Sequence, residues 1–238
     1  MPIFELKLSA RQLIRENAPK IIYVSLIYVV IITIISSLQF HLPGTSNALA
    51  QFEARLSAGE LPGLAMLYSN FRPSGVALAV VLWLMLPVID TGYMGYCMKI
   101  NRKQAGDFKD ILDGFLYFVK ILLIFIVTNF FIALWTLLFI FPGIVAVYKY
   151  RQAYYILLDA PEKGVMQCIR ESKRLIAGCK LDLFLLDISF IGWLMADFAV
   201  NLIFGFPFPF PIVLIWLIPY QGLSRAAFYD RLVGNLLV

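Results

Sequence analysis

Three long stretches without a charged residue constrain this chain more than any other feature. Lys20 is followed by no Asp, Glu, Lys or Arg until Glu53, and the stretches 121–148 and 198–224 contain none either. Uncharged apolar runs of about 18 residues or more are typical of membrane-spanning helices. Because lipid offers backbone groups no water to bond, only helices and closed barrels span a bilayer.

The pattern within these runs favours helices over a barrel. A transmembrane barrel strand alternates apolar and polar residues over roughly ten positions, and these runs do not alternate. The chain is 61% hydrophobic and only 15% charged, whereas soluble domains are about a quarter charged. The sequence therefore predicts an all-α, polytopic membrane protein that forms a single transmembrane domain over residues 1–238.

Six spans are predicted, joined as three membrane hairpins. They cover residues 20–40, 74–98, 117–140, 143–158, 181–204 and 211–229. The fourth is the shortest, since its length corresponds to about 24 Å of helix against roughly 30 Å of hydrocarbon. Pro142-Gly143 would begin it and Asp159-Ala160-Pro161 would end it. A span this short is most stable when other helices surround it.

The basic residues support this topology. With both termini in the cytoplasm, the inner segments carry 16 of the 20 lysines and arginines, and without the span at 143–158 this bias disappears. The net charge of +5 is therefore better explained by cytoplasmic loops beside anionic lipid than by nucleic-acid binding. The first apolar run resembles a signal peptide, but its length favours an uncleaved span.

A short motif recurs before the first, third and fifth spans. Residues 11–17, 109–114 and 173–178 each give a basic residue, a polar or basic one, two aliphatic residues and a final Asn or Gly. We read the motifs as basic amphipathic helices on the inner leaflet, each followed by a hairpin. The repeat units would then be 1–98, 99–158 and 159–238. The alternative is that any helix entering a membrane from the cytoplasm carries such residues.

Two further patterns accompany the motif. Phe108, Ile111, Leu112 and Phe115 form an apolar stripe at helical spacing on the second predicted surface helix. Residues 151–155 and 225–229, in the fourth and sixth spans, echo each other as Arg-Gln-Ala-Tyr-Tyr and Arg-Ala-Ala-Phe-Tyr. The basic residues expected to meet anionic lipid or a partner are Arg11, Arg15, Lys109, Lys173 and Arg174.

Three ionisable residues from different spans share one predicted depth. Asp90, Arg151 and Asp187 would lie about 10 to 13 Å from the inner end of their spans, from the helical rise. An unpaired charge at mid-membrane costs at least about 2.5 kcal/mol, so Arg151 is expected to pair with Asp90 or Asp187. Lys149 belongs to the same candidate intramembrane polar site but should point elsewhere. The layer is either a ligand-binding cavity or a structural ion pair.

Enzymatic chemistry finds little support in the sequence. The one histidine, His41, follows the first span, and no HExxH, CxxC, P-loop or GxSxG pattern is present. Cys97, Cys168 and Cys179 are expected to be free thiols near the inner face. We therefore expect no catalytic residue, no metal site and no cofactor.

Three stretches of the chain, 134–161, 172–194 and 218–230, read LWTLLFIFPGIVAVYKYRQAYYILLDAP, SKRLIAGCKLDLFLLDISFIGWL and IPYQGLSRAAFYD. They resemble the bacterial integral-membrane family called domain of unknown function 975. The likeness runs through much of the chain from about residue 106 onward and, more weakly, through the N-terminal ARQLIREN. The resemblance implies a bacterial inner-membrane location, a six-helix body and a relation to the membrane region beside some glycerophosphodiester phosphodiesterases. It implies no catalytic residues.

Three functions are compatible with these patterns. The first is a non-enzymatic scaffold or accessory protein that binds anionic lipid headgroups, or a protein partner, at the cytoplasmic face. The second is a small transporter or channel-like protein that uses the intramembrane polar site, and the third is a membrane enzyme that acts on lipid. A cavity reaching the polar layer would favour the second function, and a closed core with a basic inner surface the first.

Overall fold

The computed structural model describes residues 3–41, 56–59, 73–204 and 212–234. Within these ranges 87% of the residues are helical and no strand is formed, which confirms the prediction of an all-α protein. The helices are α1 (Ile3–Asn17), α2 (Lys20–His41), α3 (Pro73–Asn101), a 3-10 helix (Phe108–Tyr117), α4 (Phe118–Leu138), α5 (Ile140–Tyr150), α6 (Ala153–Asp159), α7 (Val165–Leu175), α8 (Lys180–Ile188), α9 (Ile191–Phe204) and α10 (Ile212–Gly234).

The chain separates into two compact units. One takes in Met1–Val29 and Val88–Val238, and the other takes in Val30–Pro87. Within the second unit, large apolar side chains such as Ile34 and Trp83 are exposed, as expected for helices that face lipid. The predicted threefold repeat stays a prediction.

Four helical stretches are long and apolar enough to cross a membrane. They are Lys20–Leu38, Ala77–Asn101, Phe108–Leu138 and Lys180–Val200, and they correspond to the predicted first, second, third and fifth spans. The predicted fourth span is divided between α5 and α6, and the sixth lies within α10. The apolar helices indicate a membrane protein, and the count of six spans stays a prediction.

The chain reverses direction abruptly between α4 and α5. Phe139 alone separates the two helices and has an extended backbone, with φ −159° and ψ 146°. Gly143 then lies so close to α4 that a Cβ atom at this position would be 2.2 Å from Thr136 Oγ1. Only glycine permits this approach, so Gly143 allows α5 to pack closely on α4. α5 has already begun at Ile140, before the Pro142-Gly143 pair that is predicted to begin the fourth span.

The segment 108–117 is a 3-10 helix, and the predicted amphipathic surface helix with one apolar stripe stays a prediction. Ile111 is buried, whereas Phe108, Leu112 and Phe115 are exposed. The 3-10 geometry repeats every three residues rather than every 3.6, so it turns Ile111 and Gly114 toward α3. The contact is very close, because a Cβ atom on Gly92 would lie 1.9 Å from the Ile111 carbonyl oxygen.

The core of the first unit includes the face of α1 that packs on α10. Leu6, Ala10, Leu13 and Ile14 are buried there, at the spacing of one helix face. Arg231, in the last turn of α10, donates a hydrogen bond at 3.1 Å to Glu5, in the first turn of α1. This packing holds α10 in place and thereby positions Arg225, which lies in the interior of that helix.

Candidate functional site

Arg151 lies at a break between two helices. α5 ends at Tyr150 and α6 begins at Ala153, so Arg151 and Gln152 form a turn inside the predicted fourth span. The positive side chain at the C-terminal end of α5 is favoured by the helix dipole. From this position the guanidinium donates a hydrogen bond to Asp187, which is therefore the partner that the structure gives Arg151.

Asp187 lies beside a second break, between α8 and α9. The residue is in the last turn of α8, followed by the turn at Ser189-Phe190. A carboxylate is disfavoured at the C-terminal end of a helix dipole, and its side chain is only 16% exposed. It therefore depends on cations from neighbouring helices.

Arg225 is the second of these cations. Its Nε and Nη2 atoms both donate to Asp187 Oδ1, at 3.1 and 3.0 Å. One carboxylate thus bridges two guanidiniums. Arg225 was not among the predicted site residues, although the echo between residues 151–155 and 225–229 was the signal that pointed to it.

Asp90 is held from a different direction. Tyr28 in α2 donates a hydrogen bond to Asp90 Oδ1, and the Tyr28 ring stacks on Tyr93 with ring centroids 4.2 Å apart. The Tyr93 hydroxyl in turn lies 2.9 Å from Ser25 Oγ. These contacts fix the Asp90 side chain on the wall formed by α2 and α3.

These residues surround a cavity of about 220 Å³, which we call the polar cavity. Its walls are formed by Tyr28, Asp90, Tyr93, Met94, Arg151, Tyr155, Ile218, Gln221, Gly222 and Arg225. Asp187 lies behind the two arginines that it bridges. The cavity therefore brings Asp90 to the same space as Arg151, with α10 supplying a second arginine and an amide.

A protein-family model matches part of the chain, and that part includes three charged residues of the site. Residues 141–235 match the family described as Protein of unknown function (DUF975). No curated protein and no solved structure matches the chain. The DUF975 region contains Arg151, Asp187 and Arg225, and it begins later than the likeness expected from about residue 106. Asp90 and Tyr28 lie outside it.

Lys149, the fourth predicted site residue, is not in the polar cavity. It borders a separate cavity of about 320 Å³, beside Trp135, Phe141 and Val145. Its backbone carbonyl accepts a hydrogen bond from Ser172 Oγ at 2.9 Å, which ties α5 to α7. The structure thus separates Lys149 from the other three predicted residues.

The predicted lipid-facing basic residues fall into two groups. Arg11, Arg15, Lys109 and Arg174 are exposed, and Lys173 is half-buried. Three of the five contact rings or a cavity wall. The Arg11 guanidinium lies 5.3 Å from the Tyr220 ring, and Lys173 Nζ lies 5.3 Å from the Tyr150 ring. Arg174 borders a cavity of about 470 Å³ between α6, α7 and α10.

Lys7 is a further cation that the sequence analysis did not single out. Its Nζ atom lies 4.3 Å from the centre of the Phe190 ring and donates to the Ser189 carbonyl oxygen at 3.2 Å. Burial, together with the neighbouring charge of Arg11, lowers the pKa of Lys7. Lys7 therefore caps the turn between α8 and α9 that follows Asp187.

A second ion cluster joins the ends of three helices, and we call it the Arg102 cluster. Arg102 donates to Asp159 at 2.6 Å and to Asp230 at 2.7 Å and 3.1 Å. Tyr229 also donates to Asp159, at 3.2 Å. The cluster links the C-terminal ends of α3 and α6 with α10, the helix that carries Arg225.

Two other kinds of site to consider among the described residues are metal-binding clusters and free thiols. In the part of the chain that the structure describes, no three histidine, cysteine, aspartate or glutamate side chains are grouped closely enough to hold a metal ion. Cys97 and Cys168 are buried free thiols, and Cys179 is half-buried. The polar cavity is one of several spaces in the described chain that charged groups from more than one helix border, and it is the space that Asp90, Arg151 and Arg225 share.

Proposed function

We propose that this chain is a small membrane transporter or solute-binding protein whose binding site is the polar cavity. The observation that carries the proposal is the meeting of Asp90, Arg151 and Arg225 around one cavity. Charged side chains within apolar spans are costly and are typically found where they line a substrate or ion pathway.

The helix breaks support the same function. Arg151 and Asp187 both lie at points where a predicted span is interrupted. In many secondary transporters, substrates bind where membrane helices are discontinuous, because the backbone there lines a cavity. The two breaks of this chain converge on the Arg151–Asp187 ion pair at the side of the polar cavity.

The proposal includes the topology on which it depends. Six spans with both termini in the cytoplasm of a bacterium place the polar cavity inside the bilayer of the inner membrane. A cysteine introduced at exposed Met166 should then react with a membrane-impermeant thiol reagent only after the inner face is opened. Reaction in intact cells would contradict the six-span arrangement.

A test of the function is access of aqueous reagents to the cavity. In a background without the three native cysteines, Gln221→Cys should react with a small charged methanethiosulfonate, because Gln221 lines the polar cavity. Leu217→Cys, four residues away on α10 and fully buried, is the matched control and should stay unmodified. If Gln221→Cys is inert from both sides of the membrane, the site cannot take up a solute from water.

A scaffold that binds anionic lipid is the second candidate function. Phe4, Leu8, Arg11 and Arg15 are all exposed and follow the i, i+4, i+7, i+11 spacing of one face of α1. Apolar residues followed by arginines on one face suit a helix that lies on an anionic membrane surface. Replacement of both arginines by glutamine should then reduce copurification of anionic lipid, with Arg170→Gln as the control for an exposed arginine on α7.

A further inference from the structure

We infer that the solute of the polar cavity is a small zwitterion. Its acidic group would bind Arg151 and Arg225, and its ammonium group would bind Asp90. This inference rests on the proposed function, because it names the chemical class of solute for the same cavity.

The guanidiniums have unused capacity to bind an anion. Each arginine carries five N–H donors. Arg151 donates through Nη1, and Arg225 donates through Nε and Nη2, all to Asp187. Among the described residues, the other N–H groups of these two side chains donate no hydrogen bond. A carboxylate or phosphate in the cavity would accept from them, since these groups match the planar fork of arginine.

Asp90 has unused capacity to bind a cation. Oδ1 accepts the hydrogen bond from Tyr28, and within the described ranges Oδ2 accepts none. A carboxylate oxygen offers lone pairs that an ammonium group, which only donates, can satisfy. Tyr28 and Tyr93, with their rings stacked beside Asp90, add aromatic surface, and cations also favour such surface.

The charge balance of the site argues for a ligand without net charge. Two guanidiniums and two carboxylates, Asp90 and Asp187, have formal charges that cancel. A simple anion or cation would leave an uncompensated charge in a poorly solvated space, which is expensive in membranes and in protein interiors. A zwitterion satisfies the free donors and the free acceptor together and keeps the balance.

The size of the cavity limits the ligand further. Its volume of about 220 Å³ is below the roughly 300 to 1,000 Å³ of pockets that hold drug-sized ligands. Free amino acids and the phosphoethanolamine headgroup of a lipid share the required chemistry, an ammonium group a few bonds from an acidic group. The inference covers that shared chemistry, and the experiment separates the two sources.

The test measures binding to the full chain purified in a mild detergent. The ligands are glycine, β-alanine, 4-aminobutyrate and glycerophosphoethanolamine, each compared with the acid that lacks the amine and the amine that lacks the acid. Thermal unfolding at increasing ligand concentration gives each Kd. At least one zwitterion should bind about tenfold more tightly than both of its singly charged analogues.

Two substitutions test which side chain binds the ammonium group of the ligand and which binds its acidic group. Asp90→Asn should remove the advantage of the zwitterion over its acid, while Arg225→Gln should weaken binding of zwitterions and acids but not of amines. If Arg225→Gln does not fold, Arg225→Lys keeps the charge beside Asp187 and removes the fork. Glu162→Gln and Arg170→Gln, both at exposed positions, are the matched controls and should bind like the original chain.

The outcomes separate the inference from the proposed function. Equal affinity for a zwitterion and its acid would overturn the inference while leaving solute binding intact. Absence of binding by every member of the series would also overturn it, and labelling of Gln221→Cys would then decide independently whether the cavity takes up solutes. Preference for glycerophosphoethanolamine, with protection of Gln221→Cys in vesicles that contain phosphatidylethanolamine but not in vesicles of phosphatidylglycerol alone, would identify a lipid headgroup as the source.

Discussion

The Asp187 site and the Arg102 cluster use the same groups in opposite proportions. At Asp187, one carboxylate bridges two arginines, and both arginines border a cavity. In the Arg102 cluster, one arginine bridges two carboxylates and uses its Nε, Nη1 and Nη2 atoms to do so. The first arrangement leaves donors unused beside an open space, whereas the second has its arginine occupied on every nitrogen.

Under the proposed function, the unused donors distinguish the binding site from the Arg102 cluster, which also borders cavities but has its arginine fully occupied. The side chains of the Arg102 cluster are 23 to 34% exposed, so water screens their interactions and each contributes little to stability. Asp187 is more buried, at 16%, and loss of its charge would strand two cations. Four substitutions test the contrast, and they are ordered by the size of the expected effect.

Asp187→Asn should cause the largest loss of stability. Removal of one partner from a buried charge cluster leaves the others uncompensated and costs about 3 kcal/mol or more in the free energy of unfolding. Thermal unfolding of the purified protein in detergent measures this loss. A change smaller than about 0.5 kcal/mol, the usual scale for surface substitutions, would show that Asp187 is not a buried counter-ion.

The neutral combination of Asp187→Asn with Arg151→Gln and Arg225→Gln is the control for this prediction. It removes the uncompensated charges and should recover much of the stability, because neutral replacement of a buried cluster is often tolerated. A swap of Arg151→Asp with Asp187→Arg should recover less, since the new arginine would lie beside Arg225. Full recovery in the swap would contradict the bridging role of Arg225.

Tyr28→Phe should have the second largest effect. The substitution removes the hydroxyl that donates to Asp90 and leaves a largely buried carboxylate oxygen without this partner, at a cost of about 1–3 kcal/mol. A double-mutant cycle with Asp90→Asn measures the coupling between the two side chains. If the two losses simply add, Tyr28 does not hold Asp90 in place.

For Asp90, Arg151 and Asp187, the sequence predicts the depth of each side chain but not its partner. Helical rise alone places Asp90, Arg151 and Asp187 at one depth, because charges within apolar runs stand out and each residue adds a fixed length. The azimuth of each side chain depends on how the helices pack, so the sequence left both Asp90 and Asp187 open as partners of Arg151. The turn at Arg151 and Gln152, and the contribution of Arg225, depend on tertiary contacts.

The 3-10 helix illustrates the same boundary. Apolar residues at 108, 111, 112 and 115 predict a helix with one apolar face, and local propensity does not distinguish 3-10 from α geometry there. The close approach of Ile111 and Gly114 to α3 at Val88 and Gly92 is a contact between distant parts of the chain. That contact decides which side chains are buried. The apolar pattern of the ten residues 108–117 carries no information about it, because the contact involves residues of α3.

Arg102→Gln should have a smaller effect than either change at the polar cavity. It leaves Asp159 and Asp230 without their shared cation, but both carboxylates are partly exposed, so we expect a loss of about 1 kcal/mol. This loss should shrink as salt is raised, because salt screens exposed charges more than buried ones. The loss caused by Asp187→Asn should respond less to salt, and equal responses would remove the distinction between the two sites.

Glu171→Gln should give the smallest effect, and that effect should depend on pH. The hydrogen bond from Lys163, at 2.6 Å, lowers the pKa of Glu171 below its usual 4.5 and raises the pKa of Lys163 above its usual 10.5. A lowered carboxyl pKa stabilises the fold above pH 4.5, and this contribution is lost as the pH falls through the lowered value. A raised lysine pKa contributes below pH 10.5 and is lost above it.

Because both side chains are about a third exposed, the pair contributes under about 1 kcal/mol. Unfolding temperatures of Glu171→Gln and the original chain should therefore differ slightly at pH 7 and converge toward pH 4 and below, whereas a difference that grows on acidification would reverse the sign of this linkage.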